Sequence, residues 1–276
     1  MGTKEENENL ERLDRLYLWH PFTQMKEWAK EKPLIVSEAK GCFLKDVYGN
    51  WYLDGVSSLW VNVHGHRKEE LDEAVKGQLD LVAHSTMLGL GNVPAIRLAE
   101  RLIKLTDSSF ADNRLKKVFY SDNGSTAVEV ALKMAFQYYK LKGVEGRDSF
   151  LSLENAYHGD TLGAMSVGGI NIFHEAFRPL LFKTYRAPSP YCYRCALTDD
   201  GPEDCGLLCI EAMEETLKVV KDEIAAVIVE PLIQAAGGMI AHPPGYLKGV
   251  RGLCDKYDVL LIADEVATGF GRTGRM

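Results

Sequence analysis

The chain has 276 residues, 46% of them hydrophobic, and its 32 basic and 39 acidic residues give a net charge of -7. This length and composition favour one large α/β domain or two smaller ones, and the mild acidity argues against a nucleic-acid surface, which needs an excess of Lys and Arg. The longest apolar runs, residues 224–229 and 259–263, are far shorter than the roughly 20 residues that cross a bilayer, so we expect no membrane segment.

The beginning of the chain carries no targeting signal that we can identify. Neither a basic region nor an apolar region opens the sequence, and Glu6 stands where an N-myristoylation motif needs Ser or Thr. We therefore expect a cytoplasmic protein that interacts with neither nucleic acid nor membrane.

Strand and helix patterns alternate along most of the chain. The first 65 residues contain three short strand-like runs, at 33–36, 41–46 and 51–53. Beyond them, apolar runs alternate with amphipathic periodicity. The predicted helices are 69–83, 94–105, 125–142 and 246–257, and the predicted strands are 117–120, 149–153, 225–229 and 259–262. This alternation predicts an α/β fold with a mostly parallel sheet covered on both faces, and ligands bind such sheets beyond the carboxyl ends of the strands.

The residues after the first predicted strand suit an anion. Gly124 lets the backbone approach a ligand closely, and Ser125 offers a hydroxyl at the start of a helix, where the dipole favours negative charge. The segment therefore predicts a phosphate site. An ordinary helix N-cap would use the same residues.

Polar residues also follow the other three predicted strands. Tyr157 and His158 follow strand 149–153, and Asp160 could orient the histidine, although such a pair is more often part of a packed loop. Glu230 and Asp264 each end an apolar strand, where a carboxylate needs a cationic or hydrogen-bonding partner. For Asp264 that partner could be the protonated pyridine nitrogen of pyridoxal phosphate. A helix cap or a salt bridge is the alternative.

Six cysteines without a signal peptide indicate reduced thiols. Four of them cluster as Cys192-x-x-Cys195 and Cys205-x-x-x-Cys209, which resembles a small zinc knuckle. The second pair has one residue more than the usual spacing. We therefore favour a reduced loop without a metal.

The longest motif is residues 260–275, LLIADEVATGFGRTGR, which resembles the signature of the class III pyridoxal-phosphate aminotransferases. Four shorter segments resemble the 7,8-diaminononanoate synthases of biotin biosynthesis within that class. These segments are 18–25 (LWHPFTQM), 63–66 (VHGH), 157–161 (YHGDT) and 163–166 (GAMS). The resemblance extends over essentially the whole chain.

The resemblance implies a fold type I transferase that binds pyridoxal 5'-phosphate. Gly124 and Ser125 match residues that hold the cofactor phosphate, and Tyr157 matches an aromatic residue against cofactor and substrate. Asp264 matches the carboxylate on the pyridine nitrogen, and Glu230 matches an acidic residue that supports the site. The implied cofactor-binding residues are Gly124, Ser125, Tyr157, His158, Glu230, Asp264 and Val266.

The resemblance also implies a domain organisation and a missing residue. Residues 1–65 correspond to an N-terminal segment of the small domain, and residues 66–276 to a large cofactor-binding domain that is incomplete at its C-terminal end. Lys256 is the last lysine, so the family's Schiff-base lysine is expected beyond Met276. We therefore expect a fragment of an enzyme.

The implied keto acceptor is 8-amino-7-oxononanoate, and the implied amino donor is S-adenosylmethionine or lysine. Phe22, Leu59, Trp60 and Tyr157 match substrate-contacting positions. Members that use S-adenosylmethionine typically carry Tyr at the position of Phe22 and Trp at that of Leu59, a difference that leans slightly toward lysine. The family resemblance favours a homodimer. The alternatives are another class III ω-aminotransferase, of the ornithine or 4-aminobutyrate type, and a non-catalytic fold relative.

Overall fold

The computed structural model describes residues 2–107, 115–198 and 205–274. The chain divides into two compact units, Met1–Arg97 and Leu98–Met276. The predicted division after residue 65 stays a prediction. No helix of the described segments is both long and apolar enough to cross a membrane.

The first unit is built around a small antiparallel sheet. Its three strands lie in the order β1-β2-β3, so neighbours in sequence are also neighbours in the sheet. The strands are β1 (Val36–Lys40), β2 (Phe43–Asp46) and β3 (Trp51–Leu53). The helices that lie in this unit or begin in it are α1 (Lys4–Tyr17), α2 (Met25–Trp28), α3 (Ser57–Trp60), α4 (Glu69–Leu79) and α5 (Val93–Asp107).

Two features of this unit come from local sequence chemistry. The hydroxyl of Thr3 accepts a hydrogen bond from the Glu6 amide, and the Glu6 carboxylate accepts one from the Thr3 amide, so α1 starts with a capping box. The short element α3 is unusual because its four residues all have positive φ, between 50° and 72°, without containing a glycine. It is a left-handed turn, which L-residues adopt only at a cost.

The second unit contains the predicted parallel sheet. Its strands lie in the order β5-β4-β6-β9, and all three neighbouring pairs are parallel. The strands are β4 (Ser149–Leu153), β5 (Thr184–Ala187), β6 (Ile224–Val229) and β9 (Leu260–Ala263), with β7 (Ile233–Gln234) and β8 (Ile240–Ala241) forming a small separate ribbon. The helices are α6 (Gly124–Leu141), α7 (Leu162–Val167), α8 (Asn171–His174), α9 (Leu208–Val220) and α10 (Tyr246–Lys256).

Alternating side chains of β6 enter two different hydrophobic clusters. Val227 and Val229 pack with residues of α9 and α10, whereas Ala226 and Ile228 pack with residues of α6 and α7. Every residue of β6 is buried. The sheet is therefore covered on both faces, which confirms the predicted α/β architecture and accounts for the continuous apolar sequence of this strand.

The strand predictions need three corrections. The predicted run 33–36 shares only Val36 with β1, which extends to Lys40. Residues 117–120 are not a strand: they make no ladder with any described strand, and the Phe119 side chain is largely exposed. An apolar run forms a strand only where a neighbour satisfies its backbone groups. Conversely, the edge strand β5 was not predicted, because its sequence Thr-Tyr-Arg-Ala is short and contains a charge.

Candidate active site

The residues predicted from the strand ends lie along one edge of the parallel sheet. The loop after β4 carries Tyr157 and His158, β6 is followed by Glu230, and β9 is followed by Asp264. Parallel strands present their carboxyl ends at the same edge, so these side chains come together by topology. The start of α6 lies at the same place, as the hydrogen bonds described below show.

Glu230 is buried and binds backbone amides with both of its carboxylate oxygens. Oε1 accepts from the Tyr157 amide and Oε2 from the Ala235 amide, each at 3.0 Å. Burial raises the pKa of this carboxyl, and the two amide bonds oppose that rise. Glu230 therefore fixes the backbone at Tyr157.

Asp264 and His158 form a buried pair. Nδ1 of His158 lies 2.7 Å from Oδ2 of Asp264, and the two side chains are 0% and 6% exposed. Oδ1 of Asp264 accepts from the Val266 amide at 3.1 Å. The Nε2 atom of His158 is buried and makes no hydrogen bond to any described residue. The histidine therefore orients the carboxylate, whose oxygens retain the capacity to accept another hydrogen bond.

The start of α6 is connected to the loop after β4. The Ser125 hydroxyl oxygen accepts a hydrogen bond from the Asp160 amide at 3.1 Å, which leaves the hydroxyl proton able to donate. A side chain on Gly159 would overlap Ser125, and the φ of +119° at Gly159 also requires glycine. The Asn123 side chain accepts a hydrogen bond from the Thr126 amide, and the amides of Gly124 and Ser125 have no acceptor within the helix.

Gly124 is in close contact with the segment after β9. A Cβ atom at this position would lie 2.9 Å from Cγ2 of Val266, closer than carbon atoms pack. Val266 itself is largely exposed. The glycine therefore allows the start of α6 to approach the strand end that carries Asp264.

The Tyr157 ring is held at the side of this group. Its hydroxyl donates to Oδ2 of Asp160 at 2.7 Å, and its ring lies edge-on to Phe173 with 6.2 Å between centroids. Burial, followed by the bond to Asp160, raises the pKa of the phenol, so the ring is neutral at physiological pH. The structure therefore brings together the seven residues predicted to bind the cofactor; their role in binding stays a prediction.

Three contributors to this group did not appear among the predicted site residues. Asp160 holds both Ser125 and Tyr157, Phe173 contacts the Tyr157 ring, and Glu129 binds the residues just after the loop. The sequence suggested that Asp160 could orient His158 or a neighbouring amide, but in the structure Asp160 bonds Ser125 and Tyr157, and His158 is paired with Asp264. Phe173 and Glu129 gave no signal, because their contacts depend on tertiary structure.

The other predicted substrate residues lie in the first unit. Phe22, Leu59 and Trp60 have positive φ values of 49°, 59° and 72°. The side chains of Phe22 and Leu59 are mostly exposed within that unit. Their contact with a substrate stays a prediction.

The four clustered cysteines are all described, although residues 199–204 between them are not. Burial raises the pKa of the Cys209 thiol to about 11, and the neighbouring Cys192 adds to this rise. Within the described segments, no group of three or more His, Cys, Asp and Glu side chains is arranged to hold a metal ion. The predicted reduced loop without a metal stays a prediction.

The model of the aminotransferase class-III family matches residues 24–276, and the chain therefore belongs to this family. The name of the family is that of enzymes that transfer amino groups.

Individual relatives narrow the comparison. The chain is 53% identical over 271 residues to the adenosylmethionine-8-amino-7-oxononanoate aminotransferase of Geobacter sulfurreducens, covering 98% of this chain and 59% of that protein. It matches the crystal structure of the enzyme of the same name from Methanocaldococcus jannaschii with a TM-score of 0.88 and 48% identity, covering 98% of this chain and 57% of that one. A pyridoxal-phosphate-bound amine transaminase from an uncultivated Pseudomonas species has a TM-score of 0.87 at 38% identity, covering 94% and 58%. The chain thus spans somewhat more than half the length of these relatives.

Proposed function

We propose that the edge of the parallel sheet in the second unit binds pyridoxal 5'-phosphate. We further propose that the protein expressed from the complete reading frame is an aminotransferase of biotin biosynthesis, which converts 8-amino-7-oxononanoate to 7,8-diaminononanoate. The observation that carries the cofactor proposal is the buried Asp264 carboxylate, which His158 orients. The segment that follows Asp264 lies against the start of the long helix α6. The names of relatives at about 50% identity support the reaction.

The side chains at this edge fit the cofactor group by group. The Asp264 carboxylate is 6% exposed and, among the described residues, forms an ion pair with a histidine but with no Lys or Arg, so a protonated ring nitrogen would complete its environment. The first-turn amides of α6 and the Ser125 hydroxyl suit a phosphate dianion. Gly124 adds no side chain of its own at that helix terminus. Tyr157 offers a neutral ring for stacking.

When bound, pyridoxal phosphate supplies an electron sink for bond changes at the carbon that bears the amino group. Asp264 would keep the proton on the ring nitrogen, because a buried carboxylate favours the positive charge beside it. His158 would hold that carboxylate in one orientation. Glu230 would act less directly, by fixing the backbone amide of Tyr157.

The amino donor of the proposed reaction is either S-adenosylmethionine or lysine. The names of the relatives specify S-adenosylmethionine. Phe22 and Leu59 favour lysine, because neither offers the tyrosine hydroxyl or the indole that a sulfonium and an adenine ring would use. Trp60 lies next to Leu59 and could supply an aromatic surface. A homodimer and a cytoplasmic location belong to the same proposal, and the homodimer rests on the family resemblance.

The test is a transamination assay with the protein from the complete reading frame. We expect 7,8-diaminononanoate to form from 8-amino-7-oxononanoate, and the specificity constants for S-adenosylmethionine and lysine to identify the donor. Ornithine, 4-aminobutyrate and a simple aromatic amine serve as competing donors, each assayed with 8-amino-7-oxononanoate and separately with a 2-keto acid that can accept the amino group, since other structural relatives are ω-transaminases. Turnover of one of these without 8-amino-7-oxononanoate turnover would contradict the proposed substrate while keeping the cofactor.

A further inference from the structure

The helix α7 (Leu162–Val167) is bonded at its N-terminal end to a carboxylate from α6. Oε1 of Glu129 accepts hydrogen bonds from the Thr161 hydroxyl at 2.6 Å, from the Gly163 amide at 2.7 Å and from the Ala164 amide at 3.3 Å. These amides belong to the first turn, which has no acceptors within the helix. The side chain of Thr161, the N-cap residue, makes no hydrogen bond to the helix, and Glu129 therefore supplies the cap.

The C-terminal end of α7 is bonded to a cation from β5. The guanidinium of Arg186 donates to the carbonyl oxygens of Ser166 at 2.8 Å and Val167 at 3.0 Å, and also to Gly168 and to the Ser152 hydroxyl. Burial lowers the pKa of Arg186 to about 10, so the side chain remains charged at physiological pH. An anion therefore lies at the positive end of the helix dipole and a cation at the negative end.

This arrangement matters because α7 ends the loop that carries the predicted cofactor contacts. Residues 154–161 connect β4 to α7 and include Tyr157 and His158. A helix of six residues is not stable on its own, so its position depends on its neighbours. Behind α7, the Gly169 amide donates to the Ala156 carbonyl at 2.7 Å, which ties the far side of the helix back to the loop. Both ends of the loop are thus fixed through α7 and β4.

We propose that Glu129 and Arg186 are positioning residues, which hold the 154–161 loop in the geometry that pyridoxal phosphate requires. This inference rests on the proposed function, because it assigns the loop to the cofactor. Glu129 lies on α6 and Arg186 lies on β5. Together they form what we call the α7 clamp, because they connect these two elements to the two ends of one short helix. The two side chains act through α7.

Gly163 provides a way to break the clamp from the other side. A Cβ atom at this position would overlap the Glu129 carboxylate, and the three nearest atoms all belong to Glu129. Gly163→Ala should therefore displace the carboxylate in the wild-type background. In a Glu129→Ala background the space is open, so the same substitution should have little effect. Such strong non-additivity is expected only for groups in direct contact.

The experiment uses the protein from the complete reading frame in four forms: wild type, Glu129→Ala, Gly163→Ala and the double variant. Hydrogen exchange of residues 154–161 is followed in the cofactor-free protein, and the dissociation constant for pyridoxal 5'-phosphate is measured separately. We expect each single variant to exchange faster in this loop and to bind the cofactor roughly tenfold more weakly, as for the loss of a charge-assisted bond. The double variant should resemble Glu129→Ala.

Two further variants keep the result specific. Glu214→Ala is the matched control, because one oxygen of Glu214 also accepts hydrogen bonds from more than one partner, Lys256 and the Tyr257 hydroxyl, but it bridges α9 to the end of α10. It should leave loop exchange and cofactor affinity unchanged. Glu129→Gln keeps an acceptor oxygen without the charge and should fall between wild type and Glu129→Ala. This milder variant covers the case in which Glu129→Ala does not fold.

Two outcomes would overturn the inference. The first is a Glu129→Ala protein that melts earlier but keeps wild-type loop exchange and cofactor affinity, which would make the clamp purely structural. The second is additive effects of Gly163→Ala and Glu129→Ala. Failure of the wild-type protein to bind pyridoxal 5'-phosphate would instead reject the proposed function, and the loop exchange would still report on the clamp.

Discussion

The predicted cofactor residues lie at the sheet edge, and two predicted substrate residues, Leu59 and Trp60, lie in the left-handed turn Ser57–Trp60. Different kinds of contact hold these two regions in place. At the sheet edge, hydrogen bonds join separate elements, such as Glu230 to the Tyr157 amide and Asp264 to His158. In the turn Ser57–Trp60, one carboxylate and hydrogen bonds between nearby backbone groups hold a left-handed backbone. The first region gains rigidity from long-range contacts, whereas the second stores strain.

The carboxylate that holds the turn is Asp54. It accepts from the Ser58 amide at 3.0 Å and the Ser58 hydroxyl at 2.9 Å, and its Oδ2 lies 2.8 Å from Nε2 of His66. These bonds lower the pKa of Asp54, with the Ser58 amide contributing most. The comparison teaches that polar side chains can either fix a relaxed loop or maintain an unfavourable one. Substitutions in the two regions should therefore differ in sign.

The largest effect is expected for Asp264→Asn at the sheet edge. An amide cannot retain the proton of a pyridine nitrogen and leaves a buried partner unpaired, which costs about 3–5 kcal/mol. We expect turnover and cofactor affinity to fall by a hundredfold or more, measured by steady-state kinetics and by titration with pyridoxal 5'-phosphate. The control is Asp255→Asn, which removes only an exposed pair with Arg251 and should retain wild-type values.

His242 is a second buried histidine, and it differs from His158 in having no carboxylate partner among the described residues. Both of its ring nitrogens are buried and have no partner among the described residues, and burial lowers its pKa to about 4. The unfolded chain takes up this proton near pH 6.5, so the free energy of unfolding should fall as the pH drops from 6.5 to 4, by up to about 3 kcal/mol. Chemical denaturation at several pH values measures this slope.

Replacement of His242 by Phe should flatten that slope and keep the ring contact with Tyr246. The exposed His84, changed to Gln, is the matched control and should leave the slope as in the wild type. An unchanged slope in His242→Phe would mean that another group titrates in this range.

A smaller loss is expected for Gly124→Ala. The added methyl group would press on Val266, and overpacking of this kind costs about 1–3 kcal/mol. Thermal unfolding and cofactor titration should both show the loss, and Val266→Ala should restore much of it. Gly252→Ala is the control, because this helical position has open space and an alanine there should stabilise α10 by about 0.5–1 kcal/mol.

The smallest effect, with the opposite sign, is expected for Leu59→Gly in the left-handed turn. Glycine removes a strain of about 1–2 kcal/mol but adds flexibility to the unfolded chain, for a net gain of about 0.5–1 kcal/mol. The Leu59 side chain is 77% exposed, so little burial is lost. The reverse change, Gly143→Ala at φ +71°, should destabilise by about 1 kcal/mol. A destabilised Leu59→Gly, by denaturant titration, would contradict the view that this turn is strained.

The two regions also differ in how far the sequence predicts them. Apolar runs that end in Glu230 and Asp264 indicate both the parallel sheet and the edge at which their side chains meet. Nothing in Ser-Ser-Leu-Trp predicts positive φ, because that pattern normally requires Gly or Asn. The strand error at 117–120 has a related origin, since an apolar run shows strand propensity but not whether a neighbour is available. The sequence does not predict the α7 clamp, because Glu129 and Arg186 are 57 residues apart and meet α7 only in the folded chain.

The most direct test of the account is a crystal structure of the protein from the complete reading frame with bound pyridoxal 5'-phosphate. The account predicts that the phosphate lies at the start of α6 beside Ser125 and that the ring nitrogen contacts the Asp264 carboxylate. A cofactor bound away from the carboxyl edge of the sheet, or with its ring nitrogen turned from Asp264, would contradict it.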